Sequence, residues 1–292
     1  MFGQWTIKVS FFTLTSAKNR LYLFMSSPDI NGFSKFIYFK MVKVKKKIKA
    51  AILIIGNEVL SGRTQDLNVS FISQWLNINC GISVNEVRII PDIEKKIIFN
   101  IVDLSKKFNY VFTTGGIGPT HDDITSLSIA KAFKVKYGFN NEAYSILEKY
   151  YGKDDFNEGR KKMAKMPDGS LLIQNPSSAA PGFKIKNVFC LPGVPSILKS
   201  MIPNLKKYLK KGLVVISKSI NINTVESHIS LELEKLQNKF LKKVEIGSYP
   251  FFKSGKVGVA IVMRSAHKEQ LKSCEKKLRL IIKNKKIKVI TR

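Results

Sequence analysis

Residues 113–125 read Thr-Thr-Gly-Gly-Ile-Gly-Pro-Thr-His-Asp-Asp-Ile-Thr, and no other stretch constrains the fold as tightly. Before the run, Tyr110, Val111 and Phe112 have the β-branched and aromatic character of a buried strand. After it, Ile124, Leu127 and Ile129 begin an apolar pattern of helical spacing. A glycine-rich turn therefore joins a strand to a helix. Gly115, Gly116 and Gly118 let backbone pass close to a ligand. The helix that follows offers free N–H groups and a partial positive charge, which suit phosphate. Asp122 and Asp123 stand where they would cap that helix or hold a cation beside the phosphate. For a lone Gly-Gly-x-Gly, a turn capped by Asp122 with nothing bound would suffice. Pro119, the paired acids and the Thr125 hydroxyl in the same run favour a binding loop.

The flanking sequence alternates. Residues 50–55 form a continuous apolar strand, and Leu67, Phe71, Ile72, Trp75 and Leu76 have helical spacing that Gly81 ends. A strand over 82–89 precedes Asp92, placed to cap a helix over 93–108, and the strand at 110–114 follows. Strand–helix alternation implies an α/β domain with a mostly parallel sheet covered on both faces. Ligands of such sheets sit at the carboxyl ends of the strands. The segment 56–62, Asp92 and the glycine run each follow a strand, so topology alone brings them to one edge. Further on, helices are expected over 141–151, 155–166 and 194–209, with strands at 171–173 and 183–191 around a proline-rich loop.

The last eighty or so residues change plan. Strand, helix, two strands, helix and strand, over 213–222, 225–240, 244–248, 257–264, 267–284 and 287–290, give a βαββαβ order, the ferredoxin-like α+β arrangement. The expected organisation is an extension over 1–45, an α/β domain over 46–211 and a small domain over 212–292. Residues 1–40 show no helical or strand period, and translation is expected to start at Met41. Gly255-Lys256-Val257-Gly258 matches by letter the GxxG of a nucleic-acid-binding KH loop, but it falls between two strands and reads as a hairpin turn.

A net charge of +29 invites a nucleic-acid reading. Lysine far outnumbers arginine, the usual base reader, and the lysines are spread along the chain, so only nonspecific attraction is expected. No stretch reaches the roughly 18 consecutive apolar residues of a membrane span. Cys80, Cys190 and Cys274 are isolated and odd in number, which fits free thiols and a cytoplasmic setting. No nucleophile elbow and no Gly-Lys-Ser/Thr phosphate loop is present.

Glu58, Asp92, Asp122 and Asp123 are the chemistry-bearing candidates. Carboxylates from separate strand ends suit a divalent cation, which takes oxygen ligands. Each has a plainer role as a loop acid or cap, and Asp66 and Asn68 are placed to cap the first helix. Ser177 and Ser178 suit either phosphate bonding or turn chemistry.

The glycine run resembles the signature of the MoaB/Mog-type molybdopterin-binding fold, and more closely that of the competence/damage-inducible protein A (CinA) family, TGGxGPTxDDxT. Residues 54–62 resemble that family's first-strand motif, Asn175-Pro176 with 180–183 its N…APGF segment, and 191–195 its LPGVP. Asn57 departs from the pattern, which has aspartate there. The resemblance implies a three-layer MoaB/Mog-like domain and a metal-dependent nucleotide pyrophosphatase. It would split ADP-ribose or a related dinucleotide into AMP and a phosphate ester. Asp92, Asp122 and Asp123 would be catalytic, with Glu58, Asp92 and Asp123 holding Mg²⁺, Mn²⁺ or Co²⁺. Gly115, Gly116, Gly118, Thr120, Thr125, Gly56, Ser177, Pro192 and Gly193 would form the ligand-binding set. The fold also implies an alternative, a molybdopterin-binding or adenylyl-transferring protein. A non-catalytic basic nucleic-acid binder is a third reading. Partners expected are a small nucleotide or pterin ligand and other copies of the chain. The amidase domain of some relatives is not expected.

Overall fold

The computed structural model describes residues 12–16, 20–24, 47–253 and 256–290. Within the N-terminal extension, β1 (Phe12–Ser16) and β2 (Arg20–Phe24) pair antiparallel, although no strand period marks them in the sequence. The remainder of that extension, Met41 included, lies outside the described residues.

From Lys47 onward the described residues build two larger sheets and one two-stranded pair. The first has six strands: β3 (Ile48–Ile55), β4 (Ile82–Ile90), β5 (Tyr110–Thr114), β8 (Leu171–Ile173), β9 (Gly182–Ile185) and β10 (Val188–Leu191). Their spatial order is β4-β3-β5-β10-β9-β8. β4, β3, β5 and β10 run parallel, and β9 and β8 add an antiparallel edge. The chain crosses from β3 to β4 on one side and to β5 on the other, so the order reverses beside β3, where an α/β sheet opens a crevice.

Strand β3 is apolar throughout because both of its faces are covered. Ala51, Leu53 and Ile55 pack with α3 (Glu94–Lys107), α4 (Thr125–Phe133) and α5 (Asn141–Tyr151). Ala50, Ile52 and Ile54 pack on the other face with α2 (Asn68–Trp75) and α7 (Pro195–Met201). Phe112 and Phe189 stack in this second layer at 4.9 Å.

Several expected elements are shorter. Helix α2 ends in a π turn, Leu76–Cys80, closed by Gly81 in the left-handed conformation (φ 65°). Helix α7 gives way to a 3₁₀ segment, Ile202–Tyr208, where Pro203 lacks the N–H that an α-helix needs. The helix expected over 155–166 is only α6 (Glu158–Lys162), capped by Asn157, because residues 165–167 leave to pair elsewhere. Strands β6 (Tyr137–Phe139) and β7 (Lys165–Pro167) form a separate antiparallel pair that three-residue runs could not announce.

The second sheet contains β11 (Ile216–Ile222), β12 (Glu245–Lys253) and β13 (Lys256–Ser265), in the order β11-β13-β12, all antiparallel. Val289 adds a single antiparallel bridge to Ile222. The ferredoxin-like order is thus present with its fourth strand reduced to one bridge. Helices α8 (Ser230–Lys239) and α9 (Lys268–Asn284) cover one face through Leu233, Leu236, Leu271 and Leu278. Val257 and Gly258 lie within β13, and the turn itself, 254–255, lies outside the described residues.

The connector between the sheets crosses the end of the π turn. Gly212 N–H donates to Cys80 O at 2.7 Å, and the Asn77 amide grips both Val215 O and Val215 N–H. A Cβ on Gly212 would collide with the Gly81 carbonyl oxygen, which is backbone and cannot rotate away. Gly212→Ala should therefore destabilise by about 1–3 kcal/mol in urea denaturation. Gly138→Ala, where an added Cβ meets nothing within 4 Å, should stay within about 0.5 kcal/mol of wild type.

Candidate functional site

The carboxyl ends of β3, β4, β5 and β10 open into a cleft of about 510 Å³. Of the residues singled out in the sequence, Glu58, Asp92, Gly115, Gly116, Gly118, Thr120, Asp122, Asp123, Pro192 and Gly193 line it. Thr64, Met163, Asn175, Ser178 and Ile197 join them.

Glycine is required where strand ends crowd. Gly115 has φ +100°, and a Cβ there would drive into the carbonyl oxygen of Ile55. Gly116 has φ +69°, with the Thr125 hydroxyl directly against it. Thr125 N–H donates to Gly116 O at 3.0 Å, closing the loop over the start of α4. Gly193 packs on Gly115 from the other side, held by the Asn68 amide, which donates to Gly193 O at 2.7 Å. Among the described residues, no protein acceptor takes the N–H groups of Gly116, Ile117 or Gly118. A phosphate is the natural partner for such a set of free donors.

The acids are arranged differently from their expected capping roles. Asp92 does not cap α3; its Oδ2 accepts from Asn57 N–H at 2.8 Å and so ties the end of β4 to the end of β3. Glu58 folds back over Gly56, where a Cβ would stand 2.5 Å from Glu58 Oε1. Gly56 thereby serves the site through Glu58 and is not itself part of the cleft lining. Asp122 does not cap α4: its Oδ1 is 2.6 Å from the Thr120 hydroxyl. Asp123 Oδ2 accepts from Thr120 N–H at 2.8 Å and also contacts its hydroxyl at 2.5 Å. Thr120 is thus a clamp within the loop and its N–H is not free for phosphate. Lys162 Nζ donates to Thr120 O from α6.

Three further expectations are corrected. Thr125 is fully buried beneath the loop and supports it without facing the cleft. Ser177 turns its hydroxyl to Ser200 at 2.8 Å, and its neighbour Ser178 lines the cleft instead. Asn68 is a clamp on Gly193, not a helix cap, while Asp66 does cap by accepting from Val69 N–H. Asn175 is expected only as part of the 175–183 segment, with no role of its own. Its side chain bonds Ser177 N–H, Ser178 N–H, the Ser178 hydroxyl and Ala180 O, and so shapes the whole 175–180 turn. Asn followed by Pro-Ser-Ser is the signal that Asx-turn chemistry would have read.

The ionisable lining of the cleft is wholly acidic: Glu58, Asp92, Asp122 and Asp123. Burial pushes the Asp92 carboxyl above the ordinary aspartate range; the Asn57 N–H opposes this, and the charges of Glu58 and Asp122 add to it. The Thr120 hydroxyl holds Asp122 below that range, with His121 and Lys162 contributing. The two carboxyls are therefore driven apart, as acid–base chemistry requires. Among the described residues no three Asp, Glu, His or Cys side chains gather closely enough to hold a metal ion. The expected set of Glu58, Asp92 and Asp123 is therefore not a closed cage, because Asp123 is turned onto Thr120. Glu58 offers oxygen donors of the kind a hard cation takes, the rest of whose shell would be water and phosphate.

A family model described as a probable molybdopterin binding domain matches residues 51–211, and one described as the FAD synthase middle domain matches 214–290. A protein of Archaeoglobus fulgidus is 32% identical over 80% of this chain and 98% of its own length. A CinA-like protein of Sulfurihydrogenibium is 36% identical over 60% of this chain and 48% of its own, so the match spans about half of that relative. The crystal structure of the CinA protein of unknown function from Thermoplasma acidophilum superposes with a TM-score of 0.52 at 31% identity, covering 56% of this chain and 98% of that one. The chain belongs to the molybdopterin-binding-domain family, on its CinA-like branch. Among the described residues no helix is long and apolar enough to cross a membrane.

Removing the charge of Glu58 should bring the Asp92 carboxyl back toward the ordinary range. In a carboxyl-resolved NMR titration, Glu58→Gln should lower the Asp92 midpoint. The native state holds the Asp92 proton more tightly than the unfolded chain does. Stability therefore falls as pH rises from the ordinary aspartate value through the raised one, and less steeply in the variant.

Proposed function

We propose that this protein is a metal-dependent nucleotide pyrophosphatase that splits ADP-ribose or a related dinucleotide into AMP and a phosphate ester. The observation that carries the reading is the pairing of free loop N–H groups at Gly116–Gly118 with an otherwise acidic cleft. The donors meet phosphate oxygens, and the acids repel a bare polyanion, so the substrate enters with its charge neutralised. Glu58, with water and phosphate oxygens completing the shell, would hold a divalent cation, which would supply that neutralisation and polarise the phosphoryl group.

This chain's own residues do the rest. The loop amides orient the anhydride. The Asp92 carboxylate, anchored through Oδ2 on the Asn57 N–H and raised in pKa by burial, takes a proton from the attacking water. The water oxygen bonds to phosphorus as the bridging P–O bond breaks, and the leaving phosphate carries away the bond's electron pair. Asp122 stays ionised through Thr120 and keeps the loop closed with Asp123.

The test incubates the protein with ADP-ribose, FAD and NAD, with and without Mg²⁺, Mn²⁺ or Co²⁺, and measures AMP. Asp92→Asn should cut metal-dependent AMP release by about a hundredfold or more, the range of a lost general base. A second reading, pterin binding or adenylyl transfer, is favoured by the family matched over residues 51–211. No turnover of any nucleotide, together with measurable binding of molybdopterin, would overturn the first reading in favour of the second.

A further inference from the structure

A second cleft, of about 420 Å³, opens at the other end of the molecule from the acidic one. Lys47, Gly81 and Ser83 border it, where β3 and β4 begin, while the acidic cleft lies where those strands end. Its far wall is the small α+β domain. We propose that this cleft binds a small phosphate ester with an apolar body, the class of a mononucleotide, independently of the acidic cleft.

Its charge is the first argument. Lys47, Lys242, Lys243 and Arg264 line it with His267, against a single acid, Glu245. Among the described residues Lys47, Lys242 and Lys243 have no carboxylate partner, and Arg264 Nη1 reaches Glu245 only at 3.9 Å. Cations gathered in one concavity repel each other, and an anion there relieves the repulsion.

The second argument is how the wall is built. After α8 the chain turns with Lys242 in the left-handed region, φ 65°, a conformation that lysine rarely adopts. The Gln237 side chain fixes that turn by donating to Val244 O at 2.9 Å and accepting from Ile246 N–H at 2.8 Å. The buried Ser265 hydroxyl donates to Lys243 O and accepts from His267 N–H, so the segments carrying Lys243, Arg264 and His267 are bonded into one frame.

The remaining lining decides the class of ligand. Leu213, Val215 and Ala266 give the lining an apolar side as well. Inorganic phosphate would leave that side unused. A nucleic-acid strand wants an open groove with several stacking aromatics, and among the described residues no Phe, Tyr or Trp lines this cleft. Its volume lies in the range of small-molecule sites.

The experiment is a titration of the whole protein with AMP, followed through its histidine ring resonances. His267 lines this cleft, His121 lies in the loop of the acidic one, and His228, bonded to Thr224, lines neither. The expected result is a saturable shift of His267 that inorganic phosphate reverses and adenosine does not produce. Asp92→Asn should leave that shift unchanged, so it survives even if the pyrophosphatase reading fails. Lys243→Gln with Arg264→Gln, both exposed and expected to fold, should weaken the binding at least about tenfold. The proposal is overturned if His267 stays still at saturating AMP, or if adenosine acts as AMP does. It is equally overturned if the double variant binds unchanged, or if a single-stranded oligonucleotide displaces AMP at far lower concentration. Should the double variant misfold, the phosphate competition in the wild-type protein decides alone.

Discussion

The close passage of Gly115 beside the Ile55 carbonyl is the constraint on which the acidic cleft depends. Only a residue without Cβ lets the end of β5 come that near the end of β3. Their proximity then fixes everything around it. Gly193 closes onto Gly115, Asn68 holds Gly193, and Thr125 seals the loop from below. Asp92 completes the ring by bonding the N–H of Asn57 across the β3–β4 gap. The loop amides are left without partners because the backbone is pinned where no acceptor can reach them.

The strand-to-loop plan was legible in the sequence because it rests on strong local signals. Continuous apolar strands, glycines at strand ends and a helical period after the acids place Asp92, Gly115 and Asp123 on one edge. The family resemblance added which segments join them. What remained illegible was which way the polar side chains turn. Asp92 before a helix looks like a cap, yet a free N–H on a neighbouring strand end claims it. Thr125 and Ser177 look like ligand donors, yet one supports the loop from within and the other bonds a helix hydroxyl. Such choices are made by long-range neighbours that no local pattern encodes. The β6–β7 pair escaped notice for the same reason, since its partners lie far apart in the chain.

The charge distribution joins the two halves of the account. The chain carries +29, yet its principal cleft has only acids among its ionisable lining. Net charge therefore governs how the surface attracts polyanions and does not describe the site. On the proposed reading, the long-range field would draw an anionic substrate in, and the local acids would demand that a cation accompany it. The basic cleft beside the starts of β3 and β4, as proposed, would answer anions directly through its lysines and arginine.

The most direct test of the central claim is the amide NMR response of Gly116, Ile117 and Gly118 to ADP-ribose with Mg²⁺ in the Asp92→Asn protein, where turnover cannot confuse binding. The account predicts that these three amides shift together and saturably, and that omitting Mg²⁺ removes most of the response. If they stay still while the ligand binds elsewhere on the protein, the glycine loop is not a phosphate cradle and the account is wrong.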